Sequence, residues 1–123
     1  LLLLNEDNKA VCILEFKKHT LSSPISEQCF TNYYPRPDGR KYKRLALLRD
    51  YLASKSNSRI LFFVLYYPTQ TYIEQQWKLE VIEGNAFSLR ATDSFIFELP
   101  ADKSDNEYKK VIEKISQVIA ARS

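Results

Sequence analysis

The sequence predicts an α/β domain in which a central mixed β-sheet is flanked by helices. Two segments, Ala10–Lys17 and Arg59–Tyr67, are apolar at nearly every position, as in strands that are covered on both faces. Between them, Arg40 to Ala53 carries apolar residues at helical spacing. With 123 residues and 45% hydrophobic content, the chain can bury one core, so we expect a single domain over residues 1–123.

The first elements form a predicted hairpin. Leu1–Leu4 is a short apolar strand, Asn5–Lys9 is a polar turn, and Ala10–Lys17 is the returning strand. Ser23 followed by a proline is a typical helix start, which predicts a helix from there to about Tyr34.

Pro35–Gly39 breaks this helix, and a longer helix from Arg40 to Ala53 follows. Arg59–Tyr67 is then the strongest strand of the chain. The long helix is expected to bury an apolar stripe of four residues against the sheet: Tyr42, Leu45, Leu48 and Leu52.

The last third of the chain predicts a hairpin and a helix. Trp77–Glu83 alternates apolar and polar residues, Gly84–Asn85 supplies a turn, and Ala86–Leu99 contains one or two further strands. Asp105 caps a final helix, whose expected core face consists of Tyr108, Val111, Ile112, Ile115, Val118 and Ile119.

Several classes of protein find no support in the composition. Apolar runs are too short to span a bilayer, and Leu1–Leu4 is too short for a signal-peptide core, so we expect a cytoplasmic protein without a membrane partner. Cys12 and Cys29 are expected to be buried free thiols. His19, the only histidine, is expected to be a loop residue without a partner, which argues against a zinc site or a catalytic triad.

The main candidate catalytic and metal-binding residues lie in the segment Glu15-Phe16-Lys17. Residues two apart on a strand point to the same face, so Glu15 and Lys17 should project together from the end of an otherwise apolar strand. A carboxylate can hold a divalent metal, and a neighbouring lysine can orient or deprotonate water. Metal-assisted hydrolysis of a phosphodiester requires both functions.

This Glu-x-Lys at a strand end resembles the second motif of the PD-(D/E)XK nuclease superfamily, over roughly residues 1–67. The resemblance implies a restriction-endonuclease-like fold and a Mg²⁺-dependent endonuclease, with Mn²⁺ as a substitute, acting on DNA. It implies metal binding by Glu15 and by the backbone carbonyl of Phe16, and a water-positioning role for Lys17. The first motif, Pro-Asp, is absent. Its Asp would fall immediately before Leu1, so we expect a domain truncated at its N-terminus.

Gln28 is a further candidate catalytic residue. It resembles a glutamine that follows the lysine motif in members of the superfamily related to the RecB exonuclease domain. A tyrosine follows Gln28 after five residues, at Tyr33, rather than after four.

A basic segment supplies the expected contacts to DNA. From Arg36 to Arg49 there are six basic residues and one acidic residue, although the net charge of the whole chain is only +3. Clustered cations of this kind can follow a phosphate backbone, or can equally form a solvated helix face. The expected phosphate-binding residues are Arg36, Arg40, Lys41, Lys43 and Arg44.

Two other classes remain open. The first is a nuclease-like domain that has lost catalysis and binds nucleic acid or a protein. The second is an unrelated α+β interaction module in which Glu15 and Lys17 form a surface ion pair. A homodimer also remains open, because enzymes that cut both strands often need two copies of the site.

Overall fold

Five strands and two helices make up the computed structural model, which describes residues 1–19, 23–69, 76–98 and 105–122 and, within the last range, no side chains for 105–108. The elements are β1 (Leu2–Leu4), β2 (Ala10–His19), α1 (Gly39–Ser56), β3 (Leu61–Pro68), β4 (Gln76–Asn85), β5 (Ser88–Glu98) and α2 (Asp105–Arg122).

The five strands form one mixed sheet whose spatial order follows the chain, β1-β2-β3-β4-β5. β2 and β3 are parallel, and the other three neighbouring pairs are antiparallel. Parallel neighbours need a crossover between them, and α1 supplies it. The α/β class with a mixed sheet, and the pairing of the two apolar strands, are therefore confirmed.

Each face of the sheet carries one apolar core. The core beneath α1 is built on alternate sheet residues such as Ile13, Phe62 and Ile82, together with Tyr42 and Ala46 of the helix. The residues between them form the core beneath α2, which includes Leu14, Phe63, Leu65, Leu79, Val111 and Ile115. Continuous apolar strands are thus explained, because both faces of β2 and β3 are covered.

The predicted helix from Pro24 to Tyr34 is wrong. The chain forms two single 3-10 turns there, Ile25–Glu27 and Phe30–Asn32, separated by extended backbone. The physical reason lies about fifty residues away, since the ammonium group of Lys78 donates hydrogen bonds to the carbonyl oxygens of Ser26 and Gln28. An α-helix needs those carbonyls for its own backbone bonds.

The expected buried stripe of α1 is partly wrong. Leu48 is 45% exposed, whereas Ala46, absent from that stripe, is fully buried. Tyr42 is buried as expected, and Leu45 and Leu52 are partly buried. The buried face is centred on Tyr42 and Ala46, because Arg49 also turns toward the sheet and donates to the Gly84 carbonyl at 2.7 Å.

Two smaller expectations also need correction. In α2, Val111 and Ile115 are buried but Ile112 is 62% exposed. Cys29 is half-buried rather than buried, although both cysteines are free thiols. Cys12 is buried as expected, and burial raises the pKa of its thiol to about 12. Tyr108 lies where side chains are not described.

Neither described helix has the length and apolar character needed to cross a membrane.

Candidate active site

Two rows of side chains run across the sheet on the face that α1 covers. Register places Glu15 opposite Val64 and Val64 opposite Glu80, while the next row runs Lys17, Tyr66, Lys78. Directly opposed residues share a face. Glu15 and Lys17 therefore project side by side, as the sequence predicts, and two more charged residues lie across β3 from them.

The start of α1 brings opposite charges onto Glu15 and Lys17. Lys17 Nζ donates to Asp38 Oδ2 at 2.7 Å, and Lys41 Nζ lies 3.1 Å from Glu15 Oε1. The same Lys41 ammonium lies 4.0 Å from Asp38 Oδ2. The order Glu15, Lys41, Asp38, Lys17 therefore alternates in sign. The hydrogen bond from Lys17, followed by the charges of both lysines, holds the pKa of Asp38 below its usual value.

Behind Lys17 lies a chain of hydrogen bonds that contains Gln28. The Lys17 ammonium is 4.0 Å from the centroid of the Tyr33 ring, and Tyr33 Oη donates to Gln28 Oε1 at 2.7 Å. Gln28 Nε2 then contacts His19 Nδ1 at 2.8 Å, and His19 Nε2 contacts the Ser23 carbonyl at 2.6 Å. We assign the ring proton of His19 to Nε2, because both contacts then have one donor.

This series of hydrogen bonds shows where Gln28 and His19 lie. Gln28 is buried, and among the described residues it is connected to Lys17 through Tyr33, which fits a positioning residue better than one that touches substrate. His19 is buried at the end of β2 and is hydrogen-bonded, so the expectation of a loop histidine without a partner is wrong.

Beneath the ion pairs lies a buried polar group around Glu80. The Tyr66 hydroxyl lies beside the Glu80 carboxyl without meeting hydrogen-bond geometry, and Tyr42 Oη, Tyr66 Oη and Glu80 Oε1 have no hydrogen-bond partner among the described residues. Burial, partly offset by Tyr66 and by the Lys78 ammonium, raises the pKa of Glu80. The Glu80 carboxyl therefore keeps its proton to a higher pH than an ordinary glutamate does.

Replacing Glu80 with glutamine should remove a loss of stability that the wild-type protein shows as the pH rises. The pKa of Glu80 is raised in the folded state, so the unfolded chain loses its proton first, near the ordinary value of 4.5. The wild-type free energy of unfolding should therefore fall above that pH, and Glu80→Gln should not show this fall. Urea unfolding at about pH 5 and about pH 8 measures the difference, with exposed Glu113→Gln as control. Equal pH dependence in both variants would contradict the shift.

The other predicted residues are spread around this centre. The side chain of Phe16 lies on the opposite face, where its ring meets that of Tyr67 at 6.3 Å, so only its backbone carbonyl could serve a metal. Of the basic set, only Lys41 is seen to reach Glu15. The remaining four are exposed to solvent around the start of α1: Arg36, Arg40, Lys43 and Arg44.

Sequence reasoning missed Asp38, Lys78 and Glu80. Asp38 was visible only as the single acid in a basic segment, between a proline and a glycine. Lys78-Leu79-Glu80 on β4 has the reverse order of Glu15-Phe16-Lys17 on β2. Because β4 runs antiparallel to β2 and β3, this reversed order places Glu80 in the row of Glu15 and Lys78 in the row of Lys17. That reversal is the signal that could have found the second pair.

The donor set suits a hard cation only in part. Within the described ranges, no three His, Cys, Asp or Glu side chains lie close enough to hold a metal ion. Glu15 and Asp38 are two partly exposed carboxylates on either side of one ammonium group. Magnesium is commonly held by one or two carboxylates with water completing its shell, so these residues fit it.

Comparisons with protein-family models, curated protein sequences and solved structures give no match to this chain.

Proposed function

We propose that this domain is a Mg²⁺-dependent nuclease that hydrolyses DNA phosphodiester bonds. The observation that carries the proposal is the shared face of Glu15 and Lys17 near the carboxyl end of β2, beside the basic start of α1. A metal-binding carboxylate, an ammonium group for the attacking water and cations for the phosphate backbone then lie within one surface.

The connectivity is consistent with the restriction-endonuclease-like fold that the motif implies. A hairpin ends in the Glu-x-Lys strand, and a helix then leads to a parallel neighbour. Leu1 and Leu14 exchange backbone hydrogen bonds of 2.9 and 2.8 Å, so a residue added before Leu1 in register would lie opposite Glu15. Its side chain would share the face of Glu15, which is where the Asp of the first motif would be needed.

Each residue then has a defined task. Glu15 and the Phe16 carbonyl would hold the metal, which when bound supplies Lewis-acid stabilisation and a more acidic water. Lys17 would orient the attacking water and stabilise charge on the phosphate. Tyr33 and Gln28 would hold the Lys17 side chain in place, since the Tyr33 ring packs on its ammonium group.

Metal-dependent cleavage by Glu15→Gln tests the proposal. We expect plasmid nicking in Mg²⁺ that EDTA stops, and a loss of about 100-fold or more in Glu15→Gln because the metal ligand is gone. Glu113→Gln, an exposed change of the same kind on α2, should cut normally. Unchanged cleavage by Glu15→Gln would overturn the assignment.

The role of the position before Leu1 is tested in the same assay. Adding one Asp before Leu1 should raise cleavage over residues 1–123 alone, and adding Asn should raise it far less, because a charged carboxylate binds Mg²⁺ much more strongly than an uncharged amide. Equal activity of the two extended chains would exclude a ligand at this place.

The exposed basic residues should govern DNA affinity through phosphate contacts. Lys43 and Arg44 lie free of the ion pairs at Glu15, so replacing both with Gln should weaken binding to all sequences alike. The slope of log affinity against log salt should flatten by about 1 per lost contact. Fluorescence anisotropy across a salt series measures this, and an unchanged slope would return the segment to a solvated helix face.

A catalytically inactive, nucleic-acid-binding domain is the second candidate. The alternating charges of Glu15, Lys41, Asp38 and Lys17 would tie α1 to the sheet without a metal. DNA binding that depends on Lys43 and Arg44, combined with no cleavage in any divalent metal, would favour this function.

A further inference from the structure

The Lys41 ammonium lies between the two partly exposed carboxylates of the site. Its Nζ is 3.1 Å from Glu15 Oε1 and 4.0 Å from Asp38 Oδ2. Lys41 is itself 40% exposed, so its flexible side chain can leave this position for solvent. The ammonium groups of Lys17 and Lys41 both contact Asp38 through Oδ2. The other oxygen, Oδ1, can therefore bind a cation without breaking the hydrogen bond from Lys17.

The Tyr42 hydroxyl is a buried oxygen without a partner among the described residues, and it lies beneath these carboxylates. The Tyr42 side chain is fully buried, its Oη has no hydrogen-bond partner among the described residues, and its ring centroid is 5.2 Å from Lys41 Nζ. Burial, followed by the charges of Asp38 and Glu15, raises the pKa of this hydroxyl, which therefore stays protonated near both carboxylates. A buried oxygen without a partner is costly unless something binds it.

We infer that Asp38 is a second carboxylate of the cation site, and that Lys41 is an internal cation which a divalent metal ion displaces. The inference rests on the proposed metal binding by Glu15. The ligand is a hard divalent cation such as Mg²⁺ or Mn²⁺, since the donors are carboxylate oxygens. Once displaced, the Lys41 ammonium is free to contact a DNA phosphate beside Arg40 and Arg44.

Two consequences distinguish this arrangement from a simple ion-pair network. If Lys41 competes with the metal, removing its charge must strengthen metal binding. In a purely structural network, the same change would only remove an ion pair and lower the stability of the fold. If Asp38 is a ligand, neutralising it must weaken metal binding even though Glu15 is intact. A charge acts strongly at these distances because both carboxylates are partly desolvated.

Mn²⁺ binding to residues 1–123, followed by electron paramagnetic resonance, tests the inference. Lys41→Gln should bind Mn²⁺ about tenfold more tightly than Lys43→Gln, which removes the same charge from an exposed position on the same helix. Asp38→Asn should bind Mn²⁺ about tenfold more weakly than wild type, and Glu15→Gln should abolish binding. Circular dichroism confirms that each variant is folded, and Lys41→Gln keeps the test decisive if Asp38→Asn unfolds.

The outcomes separate this inference from the proposed function. Equal Mn²⁺ affinity of Lys41→Gln and Lys43→Gln, or wild-type affinity in folded Asp38→Asn, would overturn the inference while leaving cleavage and its loss in Glu15→Gln untouched. Absence of Mn²⁺ binding in every variant, Lys41→Gln included, would also overturn it. Cleavage that survives Glu15→Gln would instead overturn the proposed nuclease.

Discussion

Replacing Lys17 with methionine should abolish Mg²⁺-dependent DNA cleavage, whereas the same change at Lys18 should not. Lys17 shares the face of Glu15 and lies beside Asp38 and Tyr33, while the exposed Lys18 side chain points to the other face. Positioned proton-transfer groups contribute about 100-fold to 10,000-fold in rate, so we expect a loss of at least about 100-fold. Single-turnover cleavage of labelled duplex DNA measures this step directly.

Lys18→Met is a matched control, because it removes an identical charge one residue away on the same strand. DNA affinity should fall by a similar small amount in both variants, since each loses one cation near the site. A Lys17→Met protein that binds DNA and cuts it at the wild-type rate would exclude Lys17 from the chemistry. Equal losses in both variants would show that only local charge matters.

Ala46→Asp should unfold the protein, whereas Leu48→Asp should leave it folded. Ala46 is fully buried where α1 packs on the sheet, in the core that contains Ile13 and Phe62. An unpaired carboxylate there costs at least about 3 kcal/mol, a large part of the roughly 5–15 kcal/mol that stabilises a typical domain. Leu48 is 45% exposed, so the carboxylate of an aspartate introduced there can stay in water.

Urea unfolding followed by circular dichroism measures both variants under the same conditions. The two positions are two residues apart on one helix, so differences in helix propensity cannot explain opposite outcomes. Loss of the folded state in Leu48→Asp together with a stable Ala46→Asp would mean that α1 faces the sheet with the stripe that the sequence alone predicts.

Strand and helix types were predictable wherever the pattern is local and long. Both central strands, β2 and β3, carry continuous apolar runs, and α1 carries a helical repeat, so their types and order follow from residues that are close in the chain. The rotation of α1 was less predictable. Its apolar residues cover a wide arc of the helix, so the pattern alone does not decide which of them face the sheet. The small Ala46 is buried there, whereas the larger Leu48 is exposed.

The segment from Pro24 to Tyr34 shows where local patterns stop being sufficient. A proline after Ser23 and several apolar residues favour a helix. However, Lys78 on β4 donates hydrogen bonds to the carbonyl oxygens of Ser26 and Gln28. That contact also seats Gln28 beside His19. Tertiary contacts of this kind override a weak local preference, and the pattern around Pro24 does not encode them.

The sequence by itself determined that Glu15 and Lys17 share one face at the end of a covered strand, because side chains alternate along any strand. Only the tertiary structure decided which groups meet them. Asp38 and Lys41 reach this place because α1 crosses from β2 to β3 with its first turn above Glu15, and Glu80 because β4 pairs with β3 in one register. Contacts between distant residues depend on packing and register, which no local spacing specifies.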